Sequence, residues 1–392
     1  MEGLSAVELY VHLPFCARKC RYCDFASFPG LEGTMEAYVD AILREAEFCS
    51  PEVREPILTV YFGGGTPSLL PPALLSRLIS GLQSRLPLAQ TEEWTAEANP
   101  GTLTAPWLDA ALEGGVTRLS LGMQAAQDPL LRTLGRIHHQ PQVRKSVSLA
   151  RKAGFDNLNL DLMFGLPGQS ISDWRETLSE ALSLTPEHIS AYGLIPEEGT
   201  PLFQDLESGR LVLPEPEAER EMYDLLLHTL SSAGFDQYEI SNFARPGRAC
   251  RHNIGYWDQT PYLGLGLSAA SMTGVTTGPE GMRYTRRTNV PKMDDYLSGI
   301  KNNAPNLSEH SVIEPPEARF ETMMLGLRMN KGILESQFLF LHGRSLDSCY
   351  GPRLRAMEAR GLVTHDSNPR RWRLTRLGMD LQNQVLVELM DP

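Results

Sequence analysis

The amino-acid sequence predicts an α/β fold, namely an open partial (β/α)6 barrel of the TIM type followed by a winged-helix-like α+β domain. Six short β-rich runs alternate with amphipathic helical stretches in the first half of the chain, as in parallel strands joined by right-handed helical crossovers. Six units are fewer than the eight that close a full barrel, so we expect the sheet to stay open. The last segment reads as helix, helix and hairpin, with the hairpin inside residues 354–378.

The predicted strands are rich in β-branched and aromatic residues, and each is followed by a loop and a helical pattern. The six strands span residues 8–15, 57–65, 93–100, 117–124, 157–167 and 187–196. Helical patterns between them include residues 35–48, 72–86 and 171–184. Polar or glycine-rich positions recur where these strands end, and in parallel α/β sheets the functional site lies at that edge.

Two polar, proline-rich segments, 205–219 and 302–318, suggest domain boundaries. Residues 1–205 are predicted to form the partial barrel, and residues 206–308 a central segment that completes its core. Residues 309–392 would form the winged-helix-like domain.

Composition limits the possible functions. The chain has 36 basic and 48 acidic residues, a net charge of −12, which disfavours a protein that binds nucleic acid through phosphate contacts. Arg353 to Arg376 is locally basic, and in isolation this part of a winged-helix-like frame would suit DNA recognition. The acidic remainder of the chain makes that interpretation the weaker one.

The N-terminal sequence lacks the features of a signal peptide, and no run of about 18 apolar residues predicts a membrane span. Three of the six cysteines lie within eight positions, unlike the framework of a disulfide-rich secreted protein. We therefore expect a cytoplasmic protein with a metal site.

The metal site is predicted at Cys16, Cys20 and Cys23. Three thiolates in one loop can bind three corners of a cubane cluster and leave the fourth iron open, whereas clusters that only carry electrons usually have four cysteines. The alternative is a structural zinc ion with a remote fourth ligand, such as His12, Cys49 or Cys250.

The spacing CxxxCxxC with an aromatic residue, Tyr22, before the third cysteine resembles the radical S-adenosylmethionine (SAM) superfamily. The resemblance implies a [4Fe-4S] cluster whose open iron chelates SAM, and a fold of the radical SAM type. Residues 63–67, GGGTP, resemble the superfamily motif for the SAM amino group. From the residues alone, we expect the consecutive glycines to let the backbone approach a ligand and to offer free N–H groups.

The resemblance extends over nearly the whole chain to the subfamily that includes oxygen-independent coproporphyrinogen III oxidase and the haem chaperone HemW. It rests on YVHLPFCxxxCxYCDF, GGGTPSLL, EANPGT, LGMQ, LGRIHH, NLDLMFGLPGQ, YEISNFA and HNxxYW. By this match the residues that contact SAM are Tyr10, Tyr22, Gly64, Gly65, Thr66, Glu97, Gln124, Arg136 and Asp161.

Within that subfamily the sequence favours the chaperone branch. The oxidase has a further cysteine where this chain has Phe25, and it carries a long extension ahead of its cysteines, whereas 15 residues precede Cys16 here. His252 begins the segment HNIGYW, which resembles the haem-binding motif HNxxYW of the chaperones. One departure is that residues 264–271 have no histidine, where the chaperones commonly have GxGAHS. Cys250 or Met272 would then be alternative haem ligands.

The resemblance implies a chaperone that binds haem in the central segment and passes it to haem-requiring apoproteins such as respiratory cytochromes. A homodimer is the oligomeric state expected with it. Two alternatives stay open at this point. One is a radical SAM enzyme that decarboxylates coproporphyrinogen or modifies another tetrapyrrole. The other is a zinc-stabilised regulator that uses its C-terminal domain on DNA.

Overall fold

A computed structural model describes residues 6–390 and contains one twelve-stranded mixed sheet and one three-stranded sheet. Six parallel strands lie side by side in chain order at the centre of the large sheet. They are β1 (Val7–Leu13), β2 (Ile57–Gly64), β3 (Glu93–Ala98), β4 (Arg118–Gln124), β5 (Leu158–Phe164) and β6 (His188–Gly193). The six predicted strands are thus confirmed.

Helices connect these strands, and the β4–β5 connection has two of them. The helices are α1 (Met35–Cys49), α2 (Pro72–Gln83), α3 (Ala105–Glu113), α4 (Asp128–Thr133), α5 (Gln140–Ala153) and α6 (Ile171–Ser183). The central segment adds α7 (Pro201–Glu207), α8 (Pro216–Ser232), β7 (Asp236–Gln237), β8 (Asn242–Ala244), α9 (Arg251–Trp257), β9 (Tyr262–Leu265), β10 (Ala270–Thr276), β11 (Arg283–Asn289), α10 (Met293–Lys301) and β12 (Leu307–Ile313).

The later strands extend the sheet on both sides. Strand β9 pairs in parallel with β1 and leads through β10 and β11 to β12, while β8 and β7 follow β6. The edge strands in the described chain are β12 and β7, so the sheet is open, as predicted. The segment 302–318 contains β12 and the start of the next helix. The domain boundaries after residues 205 and 308 stay predictions.

The two faces of the parallel strands differ in chemistry. Along β1, Leu9, Val11 and Leu13 belong to the apolar core shared with the surrounding helices, whereas Glu8 and His12 alternate with them and are also buried. The same alternation continues across the sheet, because successive side chains point to opposite faces of a strand. On the inner face it places Thr59, Tyr61, Glu93, Thr95, Glu97, Arg118, Ser120, Asn159, Asp161, His188 and Ser190. The barrel interior is therefore polar, unlike the near-continuous apolar strands of most parallel sheets.

The C-terminal domain has its own apolar core, which includes Leu327, Phe338, Leu354 and Trp372. Its elements are α11 (Pro315–Arg328), β13 (Ile333–Leu334), α12 (Glu335–His342), α13 (Leu346–Ala359), β14 (Val363–Ser367), β15 (Arg370–Leu374), α14 (Arg376–Asp380) and α15 (Gln382–Leu389). Two helices followed by an antiparallel hairpin confirm the predicted winged-helix-like order. Across residues 6–390 we find no helix with the length and apolar character needed to span a bilayer.

Candidate functional site

The three clustered cysteines lie in the loop that follows β1. Backbone hydrogen bonds close the base of this loop, from Phe28 N to the Pro14 carbonyl (2.7 Å) and from Cys16 N to the Phe28 carbonyl (3.1 Å). The cysteines are free and partly exposed. The loop is therefore fixed at its base while its thiols remain accessible from the open edge of the barrel.

These cysteines face a cavity of about 370 Å³ at the carboxyl ends of the parallel strands. Eight of the nine residues predicted to contact SAM line the same cavity: Tyr22, Gly64, Gly65, Thr66, Glu97, Gln124, Arg136 and Asp161. The ninth, Tyr10, lies behind this lining, where its ring stacks on Tyr61 and its hydroxyl pairs with His12 Nδ1 (3.0 Å). The structure thus brings the predicted residues together, and their contacts with SAM stay a prediction.

The glycine loop packs directly on the cysteine loop. Gly64 has φ +105°, and a Cβ there would lie 2.5 Å from the His12 ring, so only glycine fits. The expectation of free N–H groups is wrong, because Gly65 N donates to the Leu13 carbonyl (2.9 Å) and Thr66 N to the Phe15 carbonyl (2.7 Å). An ammonium group is itself a donor, so the carbonyl oxygens of this loop are the groups that could accept it.

Two carboxyl groups occupy the inner face of the cavity. Glu97 Oε1 accepts a hydrogen bond from the Tyr61 hydroxyl (2.9 Å), and Oε2 accepts one from Gly64 N (3.3 Å). Burial, and then the nearby charge of Asp161, raises the pKa of Glu97 to about 7. Burial also raises the pKa of Asp161, although Ser120 donates to its carboxylate (2.9 Å). A cationic ligand would relieve the repulsion between these acids.

Arg136 places a positive charge beside the thiols. Its guanidinium donates to the Gly122 carbonyl (2.9 Å) and to Asn99 Oδ1, and it lies 3.6 Å from Cys20 Sγ. Asn99 in turn donates to the Thr66 hydroxyl (2.8 Å). Arg136 is therefore held in place by neutral partners, and its charge remains available to an anionic cluster or carboxylate.

Gln124 ends β4 in a left-handed conformation, with φ +65°, at a register irregularity between β4 and β5. A non-glycine residue in this region is strained, and such strain is concentrated at functional sites. The distortion accompanies the exit of the chain from the sheet beside the cavity.

The donor set fits a cubane cluster. Within the described part of the chain, no group of three or more Cys, His, Asp or Glu side chains is arranged to hold one metal ion. A cubane places each thiolate on a different iron, so its cysteines need not converge on one point, and all three cysteines of the loop line the same cavity. Cys16, Cys20 and Cys23 would hold the cluster.

His252 does not line this cavity and lies in α9. Only 1% of its surface is exposed, and its Nδ1 and Nε2 pair with the Thr59 hydroxyl (2.8 Å) and the Tyr256 hydroxyl (3.0 Å). The Thr59 hydroxyl donates its hydrogen bond to Glu8, so it accepts one from His252 Nδ1. His252 Nε2 then accepts a hydrogen bond from the Tyr256 hydroxyl. Burial, followed by the charge of Arg118, lowers the pKa of His252 to about 3.

The two alternative haem ligands are also buried. Cys250 Sγ lies 3.4 Å from Glu93 Oε1, and Met272 packs in a small apolar cluster with Tyr284. Neither residue lines the cysteine cavity.

Tyr61 and Tyr192 also line the cavity, although the motifs did not identify them. Tyr61 also stacks on His252, with ring centroids 5.2 Å apart, and so connects α9 to Glu97. Both tyrosines occupy the inner-face positions of their strands, and the alternation of polar residues along β2 and β6 was the signal that could have identified them.

The fold and the cysteine cavity define a class, that of the radical SAM proteins. Residues 10–181 match the Radical SAM superfamily, and residues 313–381 match the HemN C-terminal domain. The haem chaperone HemW of Bacillus subtilis (strain 168) is 37% identical over 96% of this chain and 97% of its own length. HemW of Escherichia coli (strain K12) is 34% identical over 98% of both chains. This chain therefore belongs to the HemW family.

Among solved structures, coproporphyrinogen III oxidase (HemN) from Escherichia coli superposes with a TM-score of 0.83 over 99% of this chain and 91% of its own. Its sequence identity is 22%, so this likeness supports the fold alone. The resemblance predicted from the motifs is confirmed.

Proposed function

We propose that this chain is a radical SAM haem chaperone, which binds haem and transfers it to haem-requiring apoproteins such as respiratory cytochromes. The observation that carries this proposal is the full-length similarity to proteins named haem chaperones. We place the protein in the cytoplasm. The same proposal includes the recipient proteins named above and a homodimeric state of the chain.

Cys16, Cys20 and Cys23 would hold a [4Fe-4S] cluster, with SAM on the fourth iron. When bound, the reduced cluster supplies the electron that cleaves the SAM sulfonium. The chain contributes a shielded cavity in which Glu97 and Asp161 can accept hydrogen bonds from ribose hydroxyls and favour the sulfonium charge.

Phe25 supports the chaperone over the decarboxylating oxidase. It occupies the position of the additional oxidase cysteine, lines the cavity and is 61% exposed. An exposed aromatic ring offers an apolar contact but no thiol chemistry. The oxidase reading is therefore the less favoured one.

His252 is the proposed haem ligand. The unprotonated nitrogen of His252, Nε2, accepts a hydrogen bond from the Tyr256 hydroxyl. This hydrogen bond would have to break before Nε2 could bind the haem iron. Replacing His252 with Ala should then weaken haem binding and change the Soret band, whereas Cys250→Ser should not. Equal spectra for both variants and the unaltered chain would remove His252 from the proposal.

The chaperone function is tested by transfer. The anaerobically reconstituted chain, loaded with one equivalent of haem, is mixed with an apo-haemoprotein, and the recipient's Soret band is followed over time. We expect the recipient to be filled, while a Cys16→Ser variant reveals the contribution of the cluster. A chain that binds no haem, or that never releases it to any haem-requiring protein, would contradict the proposal.

A further inference from the structure

A second cavity, of about 510 Å³, lies at the end of the barrel opposite the cysteines. The N-terminal ends of β1 and β2, helix α9 and helix α12 of the C-terminal domain form its walls. Its lining is mostly apolar and includes Val7, Leu58, Ile254, Leu334 and Phe340. Strand β1 has seven residues, which separates this cavity from the cysteine loop by about 20 Å.

Two buried polar side chains in the wall are incompletely bonded. Glu8 is 3% exposed and Gln259 is 5% exposed. Within residues 6–390, Glu8 Oε2 and Gln259 Nε2 have no hydrogen-bond partner, although Glu8 Oε1 accepts from Thr59 and Gln259 Oε1 accepts from Thr322. Buried polar atoms normally have a hydrogen-bond partner, so these two atoms are available to a ligand bound in the cavity.

Charge at this site is balanced. On the rim Arg251 pairs with Glu92, and Lys331 pairs with Asp258 at 2.6 Å. Burial raises the pKa of Glu8 well above its ordinary value, which favours the protonated carboxyl group. The wall therefore offers the Gln259 amide, and the Glu8 carboxyl group when it is protonated, as hydrogen-bond donors to an acceptor on a mostly apolar ligand.

Resting on the proposed function, we infer that this cavity is where the porphyrin macrocycle is held, with a propionate accepting from Glu8 and Gln259. The apolar lining suits the ring, and cavities of several hundred Å³ are typical of cofactor sites. Helix α9, which carries the HNxxYW segment, forms part of the wall, and Thr59 both lines the cavity and pairs with His252 Nδ1. Helix α12 makes the C-terminal domain one wall of the site.

Adjacent residues of α12 give a matched test. Phe340 lines the cavity and is 46% exposed, whereas Leu339 is 50% exposed and is not part of the lining. Both haem and iron-free protoporphyrin IX are titrated into the full chain and into the Phe340→Asp and Leu339→Asp variants, by absorbance and tryptophan fluorescence. Iron content and melting temperature verify that both variants fold.

We expect Phe340→Asp to weaken both porphyrins by tenfold or more and by similar factors, because the macrocycle loses an apolar wall. Leu339→Asp should change affinity by less than twofold. If the unaltered chain binds haem and the two variants behave alike, the cavity is not the porphyrin site while the chaperone function stands. If the unaltered chain binds neither porphyrin, the proposed function and this site both fail.

Discussion

Removing the Tyr61 hydroxyl should move the pH dependence of SAM binding. Tyr61 donates to Glu97 Oε1 at 2.9 Å, and this bond favours the ionised carboxylate. A hydrogen bond to a charged group contributes about 1.5–3 kcal/mol. One pKa unit corresponds to about 1.4 kcal/mol, so Tyr61→Phe should raise the pKa of Glu97 from about 7 to about 8–9.

The direction of the pH dependence follows from which protonation state of Glu97 favours SAM binding. Only ionised Glu97 is a full acceptor for ligand hydroxyl groups and attracts the sulfonium, so SAM affinity should rise as the pH increases through the Glu97 pKa of about 7. At pH 7.5 about three quarters of the carboxyl groups would be ionised in the unaltered chain, and between about 3% and about 25% in the variant. The variant should therefore bind SAM roughly threefold to twenty-five-fold more weakly.

The assay is anaerobic titration of the reconstituted protein with SAM by calorimetry from pH 6 to 9. The SAM amino group also titrates in this range, but it does so identically for both proteins, so their difference isolates Glu97. Tyr10→Phe is the control, because Tyr10 stacks on Tyr61 but its hydroxyl pairs with His12. The reasoning is refuted if the midpoint does not move in Tyr61→Phe, or if it moves equally in Tyr10→Phe.

Further expectations concern the cluster, the chemistry and the core. The reconstituted chain should hold about four irons and four sulfides. Replacing any of the three loop cysteines with Ser should abolish this content, whereas Cys49→Ser should not. Stoichiometric zinc without labile sulfide would contradict this expectation. Asp161→Ala should weaken SAM binding at unchanged iron content, as calorimetry and iron analysis will show. Coproporphyrinogen III should not be decarboxylated, and multiple turnovers seen by chromatography would place the chain with the oxidases. His252→Ala should lower the free energy of unfolding by about 2–4 kcal/mol, since it opens a cavity and leaves the buried Tyr256 hydroxyl unpaired; an unchanged denaturation midpoint would argue against that packing.

The parallel strands and the cluster loop were predictable because their signals are local. Each strand is a short β-rich run bounded by turn residues, and Cys16, Cys20 and Cys23 lie within eight positions. Their meeting at one edge follows from parallel topology alone, since every such strand ends at the same side of the sheet. This is why eight of the nine expected residues line one cavity.

The contacts of individual groups were not predictable in this way. The glycine-rich motif predicted free N–H groups, yet those of Gly65 and Thr66 donate hydrogen bonds to the carbonyls of Leu13 and Phe15. The pairing of both His252 ring nitrogens, with Thr59 and Tyr256, was likewise not predicted, and ligation of haem by His252 stays a prediction. Apart from Tyr256, which lies one turn away in the same helix, these partners belong to other elements, and their proximity depends on register and packing.

The sequence by itself determined the six parallel strands, the cysteine loop and the family, because these depend on patterns that lie within short stretches of chain. Only the tertiary structure decided which polar side chains satisfy one another inside the barrel, such as Tyr61 with Glu97. It alone brought Glu8, helix α9 and helix α12 around a second cavity. Those partners are far apart in the chain, and the strand register and helix packing that bring them into hydrogen-bonding range leave no periodic signal in the sequence.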